Sequence, residues 1–343
     1  MPRQEMAPEP RLPRARGARS AALFAYLTGD ARTLDPVVDS EPVDVLEDDD
    51  FQLALYCCYE LHYRGFAEVD ATMEWDLEVL RFRQTLEHDF ERALLALVPI
   101  PAAVAPSAVR SALEREISDA DGPSLSEHLL DHGDRAEFCE FLVHRSAYQR
   151  KEADPHSWGI PRFDGPAKAA MIEIQADEYG NGAPGAAHAD LFAVTMEELD
   201  LDPSYGAYLD CLPGVTLATT NLVSWFGLHR RLLPALLGHL ALFEMTSVLP
   251  MGRYAEIADR YGLGSKARLF YDVHVEADAH HGPLAADVLV GEYVARRPAD
   301  SGLVLWGAQA LMAVEQRFSE HLIDAWKHCR SSLRRSDALL LAG

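Results

Sequence analysis

Phe270-Tyr271-Asp272-Val273-His274-Val275-Glu276-Ala277-Asp278-Ala279-His280-His281 places His274, Asp278 and His281 at i, i+4 and i+7. A helix advances about 100° per residue, so these three side chains stay within about 60° of one another. Two imidazoles and a carboxylate then point at one spot. His280 points about 100° away from His281, toward an outer layer or solvent. Neutral imidazole mixed with carboxylate suits a non-haem iron able to meet oxygen, whereas thiolates favour zinc or clusters. No Cys stands near this run. The same triplet on a solvated helix face would carry no site, so the metal reading depends on ligands from elsewhere in the chain.

Outward from this helix the periodicity stays helical. Segments at about 124–132, 135–152, 166–179, 187–198, 202–211, 215–226, 231–248, 251–262, 266–282, 284–297 and 302–328 are separated by short Gly- or Pro-marked turns. Phe51 to Gly65 and Glu74 to Val98 repeat the pattern upstream, and strand alternation is scarce. The expected class is all-α. Pro99 to Pro106 and Asp119 to Pro123 mark a seam. The expected organisation is a flexible Pro/Arg-rich arm over 1–19, an N-terminal helical region over 20–123, a metal-bearing domain over 124–330 and a frayed tail over 331–343.

Composition narrows the function. The 343 residues are 48% hydrophobic and 25% charged, enough for a sizeable core. With 31 basic against 54 acidic residues the net charge is −23, which repels a phosphate backbone, so nucleic acid is excluded as a partner. Five Cys without C-x-x-C spacing argue against a disulfide framework or structural zinc and fit a reducing cytoplasm. No apolar stretch approaches the ~20 residues of a membrane span, and Ala21 to Leu27 is too short for a signal peptide.

Four upstream positions can complete the site. Glu178 is followed by Gly180, Gly182, Pro184 and Gly185, then His188; this segment breaks a helix, so Glu178 can end one helix and His188 begin the next, both turned inward. Glu244 lies in the apolar run Leu240 to Ser247, and a carboxylate buried there needs a metal or a cation such as Arg253 or Arg268. Glu152 sits near a helix end beside Arg150 and Lys151, where a solvated Glu needs no metal.

Taken together, Lys151-Glu152-Ala153-Asp154-Pro155-His156-Ser157-Trp158, Glu173-Ile174-Gln175-Ala176-Asp177-Glu178-Tyr179-Gly180, His188, Glu244 and His274-x3-Asp278-x2-His281 resemble the haem-oxygenase-like diiron oxidases and oxygenases, closest in pattern to the N-oxygenating branch known from the streptozotocin pathway. The resemblance covers roughly residues 130 to 300. It implies a seven-helix haem-oxygenase-like bundle with an additional N-terminal helical region. Glu152, His188, Glu244, His274, Asp278 and His281 would be core ligands of two ferrous ions per chain, and Glu178 the additional carboxylate of the N-oxygenating branch. It further implies oxygen as co-substrate through a peroxo-bridged diiron species, a small amino-acid-like substrate, an external electron donor, and a homodimer formed through Leu55 to Asp70 and Glu74-Trp75. In that branch the chain can continue into a cupin domain with its own iron. This sequence ends at Gly343, so N-nitrosation is not implied.

The leading expectation is a diiron oxygenase that N-hydroxylates an amine or guanidine. Oxidative carbon–carbon cleavage or desaturation stays open on the same scaffold, because substrate placement decides which bond meets the oxidant, as does a non-catalytic metal-binding protein. A true haem oxygenase would need one His facing a haem-sized slot, and a thiaminase-like hydrolase an activated thiol, for which Cys211 has no evident base. Iron storage would use paired Glu-x-x-His helices, which are missing. His229 and His239 read as structural or exposed, with His156 a neighbour that can support Glu152.

Overall fold

Short polar side chains set many of the helix starts. Asp134 accepts from the Glu137 backbone at 2.9 Å while Glu137 accepts from the Asp134 backbone at 3.2 Å, and Asp76 caps the long third helix through Glu78 and Val79; each cap satisfies N–H groups that the helix itself cannot. The computed structural model describes residues 9–35, 37 and 44–334. In chain order the helices are α1 (Ala18–Leu27), α2 (Asp49–Glu60), α3 (Leu77–Leu97), α4 (Val109–Ser118), α5 (Leu125–Asp131), α6 (Arg135–Gln149), α7 (Asp154–Ser157) and α8 (Gly165–Glu178). They continue as α9 (His188–Glu197), α10 (Gly214–Leu228), α11 (Leu233–Thr246), α12 (Val248–Arg260), α13 (Ser265–Pro283), α14 (Gly291–Arg296) and α15 (Ser301–Lys327). No strand occurs among the described residues, so the molecule is all-α. No single described helix is long and apolar enough to cross a membrane.

At the centre α10, α11 and α15 pack on one another around Trp225 and Trp306, both fully buried. The crossing of α11 with α15 brings backbones together. A Cβ at Gly238 would lie 1.8 Å from the Val304 carbonyl oxygen, and one at Gly307 2.0 Å from that of Ala235. Only glycine permits this approach. Around the centre, α13 packs on α12, α9 and α11, and α8 on a π-helical segment, Leu284–Val290, that continues α13. The N-terminal region docks on the same core: all of Phe51 to Glu60 in α2 is buried, and α2 lies along α10.

The structure differs from the sequence expectations at four places. Residues 202–211 form turns and a single 3₁₀ turn, Leu209–Cys211, instead of a helix. Asp202 accepts from the Ser204 backbone at 2.8 Å, the Tyr208 hydroxyl from the Asp202 backbone at 2.7 Å, and Gly206 adopts φ +76°, local bonds that compete with helix. Helix α6 stops at Gln149, so Glu152 sits in a turn before α7. Within the expected arm, residues 10–19 are tied down, Pro10 accepting from the Ala67 backbone and Asp210 from that of Arg14, while residues 1–8 lie outside the described set. The expected fray at 331–334 is likewise absent: Glu140 accepts from the backbone and hydroxyl of Ser332, and Arg334 donates to the Cys211 carbonyl; residues 335–343 lie outside the described set.

Candidate metal centre

The candidate ligands come from five elements. Glu152 is held in the turn between α6 and α7. Its neighbours do not pair with it: Lys151 reaches Glu60 at 2.7 Å in a fully buried ion pair, and Arg150 turns to the Ala189 carbonyl. Glu178 is the last residue of α8 and His188 the first of α9. Between them Gly180, Asn181, Gly182 and Gly185 all take positive φ, the sharp reversal the glycines predict. Glu244 projects from α11, and His274, Asp278 and His281 share the buried face of α13. His280, one step round the helix, is exposed and bonds Glu173.

The structure brings all seven together. Glu152, Glu178, His188 and His274 offer ligand atoms that lie within 4.8 Å of one another, and so do Glu178, Glu244, Asp278 and His281. Glu178 belongs to both groups. All seven side chains are buried. His188 Nδ1 lies 2.9 Å from Glu178 and 3.7 Å from Glu152, and His274 Nε2 is 3.4 Å from Glu152. His281 Nδ1 lies 3.5 Å from Glu244 and 3.6 Å from Asp278. Ligand atoms held at about 2.1 Å from one ion are about 3.0 to 3.4 Å apart in octahedral or tetrahedral coordination, so these spacings are close to the edges of a coordination shell.

Five of the inward atoms, Glu152 Oε1, Glu178 Oε2, His188 Nδ1, Asp278 Oδ1 and His281 Nδ1, are buried without a hydrogen-bond partner. Such atoms are rare in a folded interior. Here they fall within the two close groups of candidate ligands, and Glu152, Glu178 and Asp278 line a cavity of about 20 Å³ together with Glu244 and His274, as they would to hold cations. The cations that could have neutralised Glu244 are elsewhere: Arg253 binds Ser124 and Ser126, and Arg268 binds Asp259 and Asp272.

Outer contacts fix which nitrogen of the two α13 rings faces inward. His274 Nδ1 donates to the Phe270 carbonyl at 2.7 Å, which leaves Nε2 for the site, and His281 Nε2 meets Asp177 at 2.9 Å, which leaves Nδ1. Ser247 donates to the outer oxygen of Asp278. The two motifs around Glu152 and Glu178 are laced together, Tyr179 donating to Asp154 at 2.7 Å and Ser157 to Gln175 at 3.1 Å. His156 is buried against His239 at 3.2 Å, and burial pushes it down to about 4, so both rings are neutral. His229 is partly buried and bonds Glu87, a structural contact.

Without bound cations the charges settle among the ligands. Burial pushes Glu152 up to about 7 and Glu244 up to about 8. Burial also acts on Glu178, but His188 and His274 outweigh it and bring that carboxyl down to about 2. His274 and His281 rise to about 10 and 11 because facing carboxylates overcome their burial. The set favours positive charge at its centre.

Sequence reasoning missed the supports. Asp177 differs from other surface carboxylates only in lying next to Glu178. Tyr148, one turn before Glu152, lines the same cavity, and burial with the charges of Glu152, Glu178 and Glu244 holds its phenol well above the usual range. A Tyr four residues before a ligand carries no sequence signal distinct from a core position.

Fold and site define the class: an all-α bundle enclosing two overlapping groups of carboxylate and imidazole ligands. Residues 139–316, just over half of the chain and including all seven of these positions, match the family of iron-containing redox enzymes, and the chain belongs to that family. It is therefore an oxidoreductase. No curated protein matches the chain.

Proposed function

We propose that the chain is a non-haem diiron oxygenase. The observation that carries this is Glu178, shared between two buried four-residue groups in which five inward atoms have no hydrogen-bond partner. Glu152, His188 and His274 would hold one ion and Glu244, Asp278 and His281 the other, with Glu178 in reach of both groups; ferrous ions bound there would supply the electrons for dioxygen chemistry. The protein's own part is to fix ring orientation through Phe270 and Asp177, to keep the centre dry, and to present the substrate. Multiple turnovers would call on an external electron donor to return bound iron to the ferrous state.

The reaction proposed first is N-hydroxylation of an amine or guanidine on a small metabolite, supported by the extra carboxylate Glu178. A specific observation favours the second reading, oxidative carbon–carbon cleavage or desaturation: the larger cavity beside the centre is lined mainly by apolar side chains such as Phe141, Phe192, Phe243 and Phe270. Mass spectrometry of candidate substrates incubated with ferrous protein and oxygen separates the two, since the first adds one oxygen to nitrogen and the second shortens or desaturates carbon. Iron titration tests the centre itself. Saturation at about two ferrous ions per chain is expected, and saturation at one refutes the diiron assignment.

A further inference from the structure

A second cavity, of about 310 Å³, lies between α4, α5, α6, α12, α13 and α15, in the lower part of the ~300 to 1,000 Å³ range of small-molecule sites. It adjoins the metal centre. Phe243 and Ser247 line both cavities. Along α6, Phe141, Arg145 and Gln149 follow one another a turn apart on its wall, and the next step in the chain is Glu152. On α13, Phe270 and Tyr271 line it one turn before His274. The Ile117 to Ser126 side carries exposed residues, Ala120, Pro123 and Ser124, which make the mouth.

Besides several hydroxyl side chains such as Ser126, Thr246 and Tyr254, its wall carries a charged pair and two buried polar groups. Among the described residues, the charged side chains on its wall are Arg145 and Glu315, which satisfy each other through paired bonds of 2.9 and 2.6 Å, and the guanidinium also lies 4.5 Å from the Phe318 ring. Among the described wall residues no charge is left to meet a ligand's charge. Gln149 and Tyr271 are different: each is more than nine-tenths buried, and the Gln149 side-chain oxygen and the Tyr271 hydroxyl have no hydrogen-bond partner. A buried polar atom loses its hydration whether or not it is paired, so two such atoms on an apolar wall mark where a ligand completes the bonding.

We propose that this cavity is the substrate chamber, and that it takes an uncharged molecule with an apolar body and a hydrogen-bond donor held by Gln149 and Tyr271. This deepens the oxygenase proposal and rests on it. A zwitterionic amino acid would give up the hydration of two charges here with no counter-charge in return. The chamber therefore argues against the free amino-acid substrate that the family resemblance implies, and for an aromatic or aliphatic amine, amide or alcohol in its neutral form.

Calorimetric titration of the ferrous protein under nitrogen tests the assignment without requiring turnover. The probes are indole and 2-naphthol, which are apolar donors, naphthalene, which has the body alone, and L-arginine. Indole and 2-naphthol are expected to bind and L-arginine not. Gln149→Leu and Tyr271→Phe should each weaken indole about five- to tenfold and leave naphthalene unchanged, with bound iron as in the wild type. Failure of both donors to bind, L-arginine binding as tightly as indole, or indole affinity indifferent to both substitutions overturns the proposal. Failure of the diiron assignment would instead appear in the iron count, which this titration does not vary.

Discussion

His280 and His281 are adjacent in the chain and opposite in role. His281 is fully buried with Nδ1 facing Glu244 and Asp278, whereas His280 is exposed against Glu173. His281→Ala should abolish oxygen consumption and His280→Ala retain most of it; equal losses would mean that the helix presents a different face. The carboxylates allow a sharper test. Glu244→Ala removes a ligand from one group only, so iron binding should saturate near one ion per chain. Glu178→Ala strips both groups and should weaken both ions, by about tenfold or more each. Equal titration curves for the two variants would show that Glu178 does not span the ions. Six of the candidate positions stood out in the sequence as imidazoles and carboxylates at helical spacing, in an apolar run or beside helix-breaking glycines, whereas Glu152, beside Arg150 and Lys151, entered only through the family resemblance. Asp177 and Tyr148 were not legible, since their roles depend on which ring nitrogen and which helix face meet them in space.

At the scale of elements, periodicity placed α13, α11 and α15 correctly because each keeps its buried residues at helical spacing, mainly apolar along α11 and α15 and including the candidate ligands along α13. It failed at 202–211, where Asp202, Pro203 and Gly206 offer local bonds that outcompete helix, and it could not foresee that α11 and α15 touch through Gly238 and Gly307, since an interior glycine lowers helix propensity without naming its partner. Gly238→Ala forces a methyl group against the Val304 carbonyl and should destabilise the fold by about 3 kcal/mol or more, read by urea denaturation. An unchanged midpoint would mean that the helices can separate without loss. The turn after α6 has its own support. Lys151 Nζ reaches Glu60 at 2.7 Å, lies 4.5 and 4.4 Å from the Tyr56 and Tyr63 rings, and Glu60 also accepts from Tyr205. Removing one partner of a buried pair leaves the other unpaired, so Lys151→Met should cost about 3 to 5 kcal/mol. Because the next residue is Glu152, the same change should also weaken iron binding, while Lys151→Met combined with Glu60→Leu should recover part of the stability.

Over the whole molecule, the net charge of −23 includes four carboxylates, Glu152, Glu178, Glu244 and Asp278, that have been gathered into the core. Two ferrous ions, as proposed, would offset those four charges. Without them the site depends on protons and on imidazolium rings, a weaker neutralisation that leaves carboxylates repelling at close range. The strain is most directly relieved by the element that contributes most ligands. That element is α13, which supplies three ligands, starts after the left-handed Gly262 and runs through Pro283 into a π-helical segment where the regular hydrogen-bond ladder is broken. In contrast, α11 is clamped along its length by α15 through the glycine crossing. Iron should therefore stabilise the molecule and do so unevenly. A hundredfold excess of free ferrous ion over Kd is worth about 2.7 kcal/mol at a single site, so the thermal midpoint should rise on loading. Amide hydrogen exchange should show the gain concentrated in residues 270–282, with 233–246 little changed. Equal protection of 270–282 with and without ferrous iron would show that the centre is preformed and that metal binding and helix order are uncoupled.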